Sequence, residues 1–137
     1  MRIMAIDYGD ARIGLAVSDL LGMLCGEAWT LSEWNMDRAI DTITAEAKAR
    51  QVERFVLGLP KNMDGTEGDR CAIVKEFMAE VKKAYPEVEV FFWDERLSTV
   101  AATRSLIEAD VSRRKRKKVI DKMAAVFILQ GFLDSKR

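Results

Sequence analysis

The sequence predicts an α/β domain, a mixed five-stranded sheet with helices on both faces. Three observations carry that expectation. Residues 2–18 hold two short apolar-rich runs on either side of Tyr8-Gly9-Asp10-Ala11, the pattern of a β-hairpin. Beyond residue 35, helical apolar stripes alternate with short apolar runs, as in strands joined by helices. The 137 residues suffice for one such domain, spanning 1–137, and show no internal repeat or linker.

Residues 2–7 read as a mostly apolar strand, and Gly9 supplies freedom for the turn that follows. Residues 12–18 alternate and return antiparallel. Residues 23–31 supply a third antiparallel strand, weakened by Gly22 and Gly26. Asn35 or Asp37 caps a helix whose face is marked by Ile40, Ile43 and Ala47 and which runs to about Arg50. Residues 54–59 form a buried-type strand ending in the loop Pro60-Lys61-Asn62-Met63-Asp64-Gly65. Thr66 with Asp69 has capping-box spacing ahead of a helix carrying Ile73, Val74, Phe77, Met78 and Val81. Pro86 closes that helix, and residues 88–93 form the fifth strand. Ser98 or Thr99 opens a further helix to about Glu108. Ile120, Met123, Ala124, Phe127 and Ile128 mark the last one.

Inventory removes several chemistries. The chain has no histidine, and its two cysteines, Cys25 and Cys71, lie far apart, so His-based triads and structural zinc sites are excluded. Both cysteines are expected as small, partly buried apolar residues. No apolar run approaches the length of a membrane span, and the N-terminus enters a strand directly, so a cytoplasmic protein is expected. The net charge of zero hides an asymmetry. Residues 1–112 carry 13 Lys/Arg against 20 Asp/Glu, whereas residues 113–137 carry 9 against 2. An acidic body with a basic C-terminal segment points to an anionic partner.

Strand ends are where open α/β sheets place their chemistry. Asp7 ends the first strand, and Asp94 and Glu95 end the fifth. Strand alternation lets only one of the latter pair share a face with Asp7 and leaves open which. Asp121 lies early in the last helix, ahead of Ala124 and Ala125, whose small side chains would let that helix lie close to the sheet. Converging carboxylates repel by roughly 4 kcal/mol per pair at ~4 Å and an effective dielectric near 20. A divalent ion removes that penalty. Mg²⁺ or Mn²⁺ in an all-oxygen site activates water against a phosphodiester, a natural route in a chain without histidine.

Four ordered segments sharpen this reading. They are Asp7-Tyr8-Gly9-Asp10-Ala11-Arg12-Ile13-Gly14-Leu15-Ala16-Val17-Ser18-Asp19, Gly58-Leu59-Pro60-Lys61-Asn62-Met63-Asp64-Gly65, Asp94-Glu95-Arg96-Leu97-Ser98-Thr99 and Asp121-Lys122-Met123-Ala124-Ala125. Together they span nearly the whole chain. The chain resembles the YqgF (RuvX-type) family of Holliday-junction resolvases and pre-16S rRNA nucleases, within the RNase H-like superfamily. The resemblance implies an RNase H-like mixed five-stranded sheet. It implies an acidic triad of Asp7, Glu95 and Asp121, thus choosing Glu95 over Asp94, and a two-metal nuclease maturing 16S ribosomal RNA. Cleavage of DNA junctions is the alternative.

Other residues have substrate roles with bland counterparts. Gly9 would let backbone approach a phosphate or simply make the hairpin turn. Arg12 would pair with phosphate or with a site carboxylate. Lys61 and Asn62 sit in a loop after a strand, where Asn62 would touch substrate or order the turn with Asp64-Gly65. Arg96 would orient Glu95, contact phosphate or sit in a surface ion pair. The tryptophans are expected in core or boundary packing. Arg113-Arg114-Lys115-Arg116-Lys117-Lys118 is expected to stay mobile through self-repulsion until a phosphate backbone binds. The partner expected is nucleic acid, with precursor ribosomal RNA ahead of branched DNA, bound by a monomer or weak homodimer. Two other classes compete. A non-catalytic RNA-binding assembly factor would keep the acids for stability, and an ATP-dependent phosphotransferase would need a second domain.

Overall fold

The computed structural model describes residues 1–9, 12–95 and 113–136, with side chains up to residue 95 and from 123 onward. Its described elements run β1 (Arg2–Tyr8), β2 (Arg12–Ser18), β3 (Cys25–Ser32), α1 (Met36–Ala49), β4 (Val52–Leu59), α2 (Asp69–Ala84), β5 (Glu89–Asp94) and α3 (Arg113–Ser135). One five-stranded sheet has the order β3-β2-β1-β4-β5. The pairs β1–β2 and β2–β3 are antiparallel, while β1–β4 and β4–β5 are parallel. The expected mixed sheet is therefore the observed one.

Burial follows from covering both faces of that sheet. In β1, Ile3, Met4, Ala5 and Ile6 are all buried, because alternate residues enter different cores. Met4 and Ile6 join Ile13, Leu15, Phe55 and Leu57 under α1 and α2, which contribute Ile40, Ile43, Val74, Phe77 and Val81. Ile3 and Ala5 join Ala16 and Val56 under α3, which contributes Ala125, Ile128, Leu129, Phe132 and Leu133. The small residues Ala5, Ala16 and Ala125 keep α3 close against β1, β2 and β3.

Local chemistry sets the boundaries. Asn35 rather than Asp37 caps α1, its side-chain oxygen accepting from the Arg38 N–H at 3.0 Å. β3 begins two residues later than expected, because Asp19 holds the preceding turn. The Asp19 carboxylate accepts from Met23 N at 2.9 Å, and Asp19 N donates to Leu24 O at 2.9 Å. β4 begins at Val52, straight after Gln51, whose positive φ of 58° turns the chain out of α1.

Two expectations are corrected. The capping box is not formed. Gly68 caps α2 without a side-chain bond, because Thr66 is engaged upstream, where its N–H and hydroxyl both donate to Asp64 Oδ1. The basic run, expected as a segment ahead of the last helix, forms the opening turns of α3. Arg and Lys are good helix formers, and burial of the helix's second half anchors it. The helix expected over residues 98–108 lies outside the described residues. Cys71 is buried and Cys25 half-buried, both with free thiols. Trp29 and Trp93 pack at core boundaries, whereas Trp34 is 80% exposed, against expectation.

Candidate active site

The adjoining C-terminal ends of β1, β4 and β5 assemble the site. Tyr8, the last residue of β1, stacks on Phe77 of α2 with ring centroids 4.3 Å apart. Alternation then assigns Asp7 to the opposite face, the one covered by α3. Its partner across the ladder is Gly14, so no side chain of β2 stands directly opposite it. In β5, Val90 packs under α1 and α2 while Phe91 and Trp93 pack under α3. The same alternation puts Glu95 on the Asp7 face and Asp94 on the other. The register thus makes a choice that the sequence pattern alone left open.

The carboxyl groups of Asp7 and Glu95 are hydrogen-bonded to each other. Two carboxyl groups can share such a bond only around a proton. Burial pushes the Glu95 carboxyl up to about 9, helped by the bond to Asp7 and by the Asp7 charge. The nearby Asp94 charge adds to the rise, and Arg70 opposes it.

Gly58 makes room for this pair. It lies in β4 opposite Trp93. A Cβ there would sit 2.3 Å from Glu95 Oε1 and 2.6 Å from Ile128 Cδ1. The Glu95 carboxyl therefore occupies the volume that any other residue at 58 would fill, beneath α3. Arg12 opens β2 on the same face as Gly14, hence as Asp7. Its Nη1 is buried and has no hydrogen-bond partner among the described residues. A buried guanidinium nitrogen in that state costs free energy unless an acceptor arrives.

The remaining candidates divide. Gly9 is required by the turn, since a Cβ would lie 2.6 Å from the Arg12 carbonyl oxygen. Asn62 orders its own loop. Its Nδ2 donates to Thr66 Oγ1 at 3.0 Å, its N–H donates to Thr66 O, and its carbonyl accepts from Gly65 N. Lys61 is half-buried at the root of that loop, and its charge reaches Glu67. Asp121 lies in α3 two turns before Ile128, in helical line with Ala124 and Ala125, and its side chain is outside the described residues. The side chains of Arg113, Arg114, Lys115, Arg116, Lys117 and Lys118 are likewise outside them, as is Arg96 altogether. Among the described residues, no three metal-ligating side chains cluster.

Two residues were missed by sequence reasoning. Gly58 carried a signal, since glycine inside an apolar strand often marks a close approach. Arg70 did too. It stands in the first turn of α2, where the macrodipole disfavours a cation. Its Nη2 donates to Tyr8 O at 3.2 Å.

The pair suits a divalent ion. Both ligands are hard oxygens, both are half-buried beneath α3, and a proton holds them together. An ion displacing that proton would be met by two carboxylates already side by side.

The chain is similar to known proteins over nearly its whole length. The family model described as "RuvX: Holliday junction resolvase" matches residues 1–135. A Clostridioides difficile protein named "Putative pre-16S rRNA nuclease" is 54% identical over 135 residues, covering 98% of this chain and 95% of that one. Its Staphylococcus aureus counterpart of the same name is 48% identical over 136 residues, covering 98% and 96%. Among solved structures, the fowlpox virus resolvase bound to Holliday junction DNA superposes with a TM-score of 0.65 at 10% identity, covering 99% of each chain. Thermus thermophilus RuvC with its junction substrate gives 0.59 at 13% identity, covering 99% and 95%. These two likenesses establish a RuvC-type, RNase H-like fold.

Proposed function

This chain belongs to the RuvX family, and on that premise we propose that it is a divalent-metal-dependent nuclease that trims the precursor of 16S ribosomal RNA. The observation that carries the proposal is the Asp7–Glu95 carboxyl pair, hydrogen-bonded at the ends of β1 and β5. The relatives' shared name supplies the substrate.

Asp7 and Glu95 would hold the ion, with Asp121 of α3 as the third ligand that the family resemblance implies. Mg²⁺ or Mn²⁺ held there, one ion or a pair, would supply the charge that lowers the pKa of a water and stabilises a leaving oxygen. The protein's own residues do the rest. Gly58 leaves the volume in which the Glu95 carboxyl sits. Arg12 offers its unpartnered Nη1 to a phosphate oxygen, which would complete its hydrogen bonding. Helix α3 covers one side of the site, and the partial burial strengthens the pair's charge interactions. Arg96 follows Glu95 in sequence, Lys61 sits in the loop after β4, and the basic opening of α3 draws the phosphate backbone in.

Asp7→Asn tests the reading. It keeps the shape and removes one ligand charge. Cleavage of a labelled RNA spanning both boundaries of precursor 16S rRNA should fall by at least about 100-fold, with the fold intact. Undiminished cleavage would leave the acids structural and the chain a binding factor. A four-way DNA junction run in parallel separates the family's other activity. Paired, symmetric cuts by a two-fold dimer would mark a resolvase.

A further inference from the structure

Arg70 belongs to α2, which packs on the face of the sheet opposite to the Asp7–Glu95 pair. Yet two observations tie it to that pair. First, it grips the residue after Asp7. Its Nη2 donates to the Tyr8 carbonyl at 3.2 Å. That carbonyl lies beyond Ile6↔Leu57, the last pair of the β1–β4 ladder, so β4 does not fix the strand end there. Phe77, seven residues further along α2, stacks on the Tyr8 ring. Positions seven apart share a helix face, so α2 clamps Tyr8 by backbone and by ring together. Second, Arg70 lies near the Glu95 carboxyl across the end of the sheet. Arg70 is half-buried, and a cation in the first turn of a helix opposes the macrodipole. Helix formation alone does not account for it.

We propose that Arg70 is a positioning residue of this site, which fixes the end of β1 through Tyr8 and sets the spacing of the Asp7 and Glu95 carboxyls for a divalent ion. The inference rests on the nuclease reading above. It acts through the two carboxyl groups and touches neither substrate nor metal. Its loss leaves substrate affinity in place and weakens the hold on the ion. Residues that orient metal ligands usually contribute about 10–100-fold in metal affinity or activity.

Three variants divide its parts. Arg70→Ala removes both the bond and the charge, Arg70→Lys keeps the charge without the fork, and Arg70→Gln keeps a donor without the charge. Mn²⁺ binding is measured by calorimetry on the full-length chain without RNA. Cleavage of the precursor RNA gives kcat and KM, and circular dichroism checks the fold. For Arg70→Ala the expected result is about 10–100-fold weaker Mn²⁺ binding with kcat down in proportion and KM within about twofold. Lysine and glutamine should each recover part of both losses. If Arg70→Ala does not fold, the same comparison is made on the lysine and glutamine variants. Unchanged Mn²⁺ affinity in the folded variants overturns the inference, as does a loss confined to KM, which would mark a substrate contact. Asp7→Asn in the same assays keeps the two readings apart. If it cleaves normally, the nuclease reading fails. If it is dead while the Arg70 variants behave as wild type, only this inference fails.

Discussion

Gly58→Ala adds one methyl group at the most crowded point of the site. The new Cβ would stand 2.3 Å from Glu95 Oε1, 2.7 Å from Glu95 Cδ and 2.6 Å from Ile128 Cδ1. None of these contacts is tolerable, so something must move. The backbone of β4 is held on both sides, by β1 and by β5. The movable parts are the two side-chain ends, and the Glu95 carboxyl must retreat by about 1 Å or more to reach ordinary contact. A misplacement of that size at a reacting centre costs about 100-fold in rate. The accompanying strain costs about 1–3 kcal/mol of stability, as overpacked cores commonly do. The assay is cleavage of labelled precursor RNA across a Mg²⁺ titration, with a thermal melt of the same preparation. The expected result is a folded protein of somewhat lower Tm, about 100-fold slower and needing more metal. Full activity at ordinary Mg²⁺ would show that the observed position of Glu95 is not the working one, and the reasoning from Gly58 would fall.

Glu95→Gln should abolish cleavage yet stabilise the metal-free fold above neutral pH. The Glu95 carboxyl is raised from 4.5 to about 9, so between those values the folded chain binds more protons than the unfolded one. Stability from this group is whole below pH 4.5 and is lost as pH rises toward 9, by up to about 3 kcal/mol at pH 7. Melts in EDTA should show the glutamine variant about 5–10 °C higher at pH 7–8, with the gap closing near pH 5. A gap independent of pH would refute the shared proton. Neutralising the six basic residues at 113–118 should flatten the salt dependence of RNA binding. Because the run is helical, its positions spread around the axis and only three or four can meet one backbone. The lost log–log slope should therefore be about 2–3 rather than the 4 that six contacts to single-stranded RNA would give. An unchanged slope would remove the run from the interface.

Much of the fold was legible in the sequence because its signals are local. The hairpin around Gly9, the stripe of Val74, Phe77 and Val81, and the cap at Asn35 each depend on near neighbours, and each appears where expected. Failures arose where a residue had two possible partners. Thr66 has the spacing to cap α2, but Asp64 is nearer and takes both its donors. The basic run repels itself in isolation, and burial further along α3 adds to its helix propensity to anchor it. The site divides in the same way. Asp7 is readable as a strand-end acid. Its pairing with Glu95 rather than Asp94 depends on which core receives Val90 and which receives Trp93, and residue spacing does not encode that. Gly58 and Arg70 act across the sheet, at separations where a single sequence gives only a faint hint.

On this reading Asp7 and Glu95 jointly hold a divalent ion. A crystal of the full-length chain grown in Mn²⁺ and measured at the manganese absorption edge tests it directly. The expected result is an anomalous peak within about 2.0–2.3 Å of an oxygen from each carboxylate, with the hydrogen bond between them replaced by the ion. Asp7 and Glu95 still hydrogen-bonded to each other at saturating Mn²⁺, with no peak between them, would contradict it.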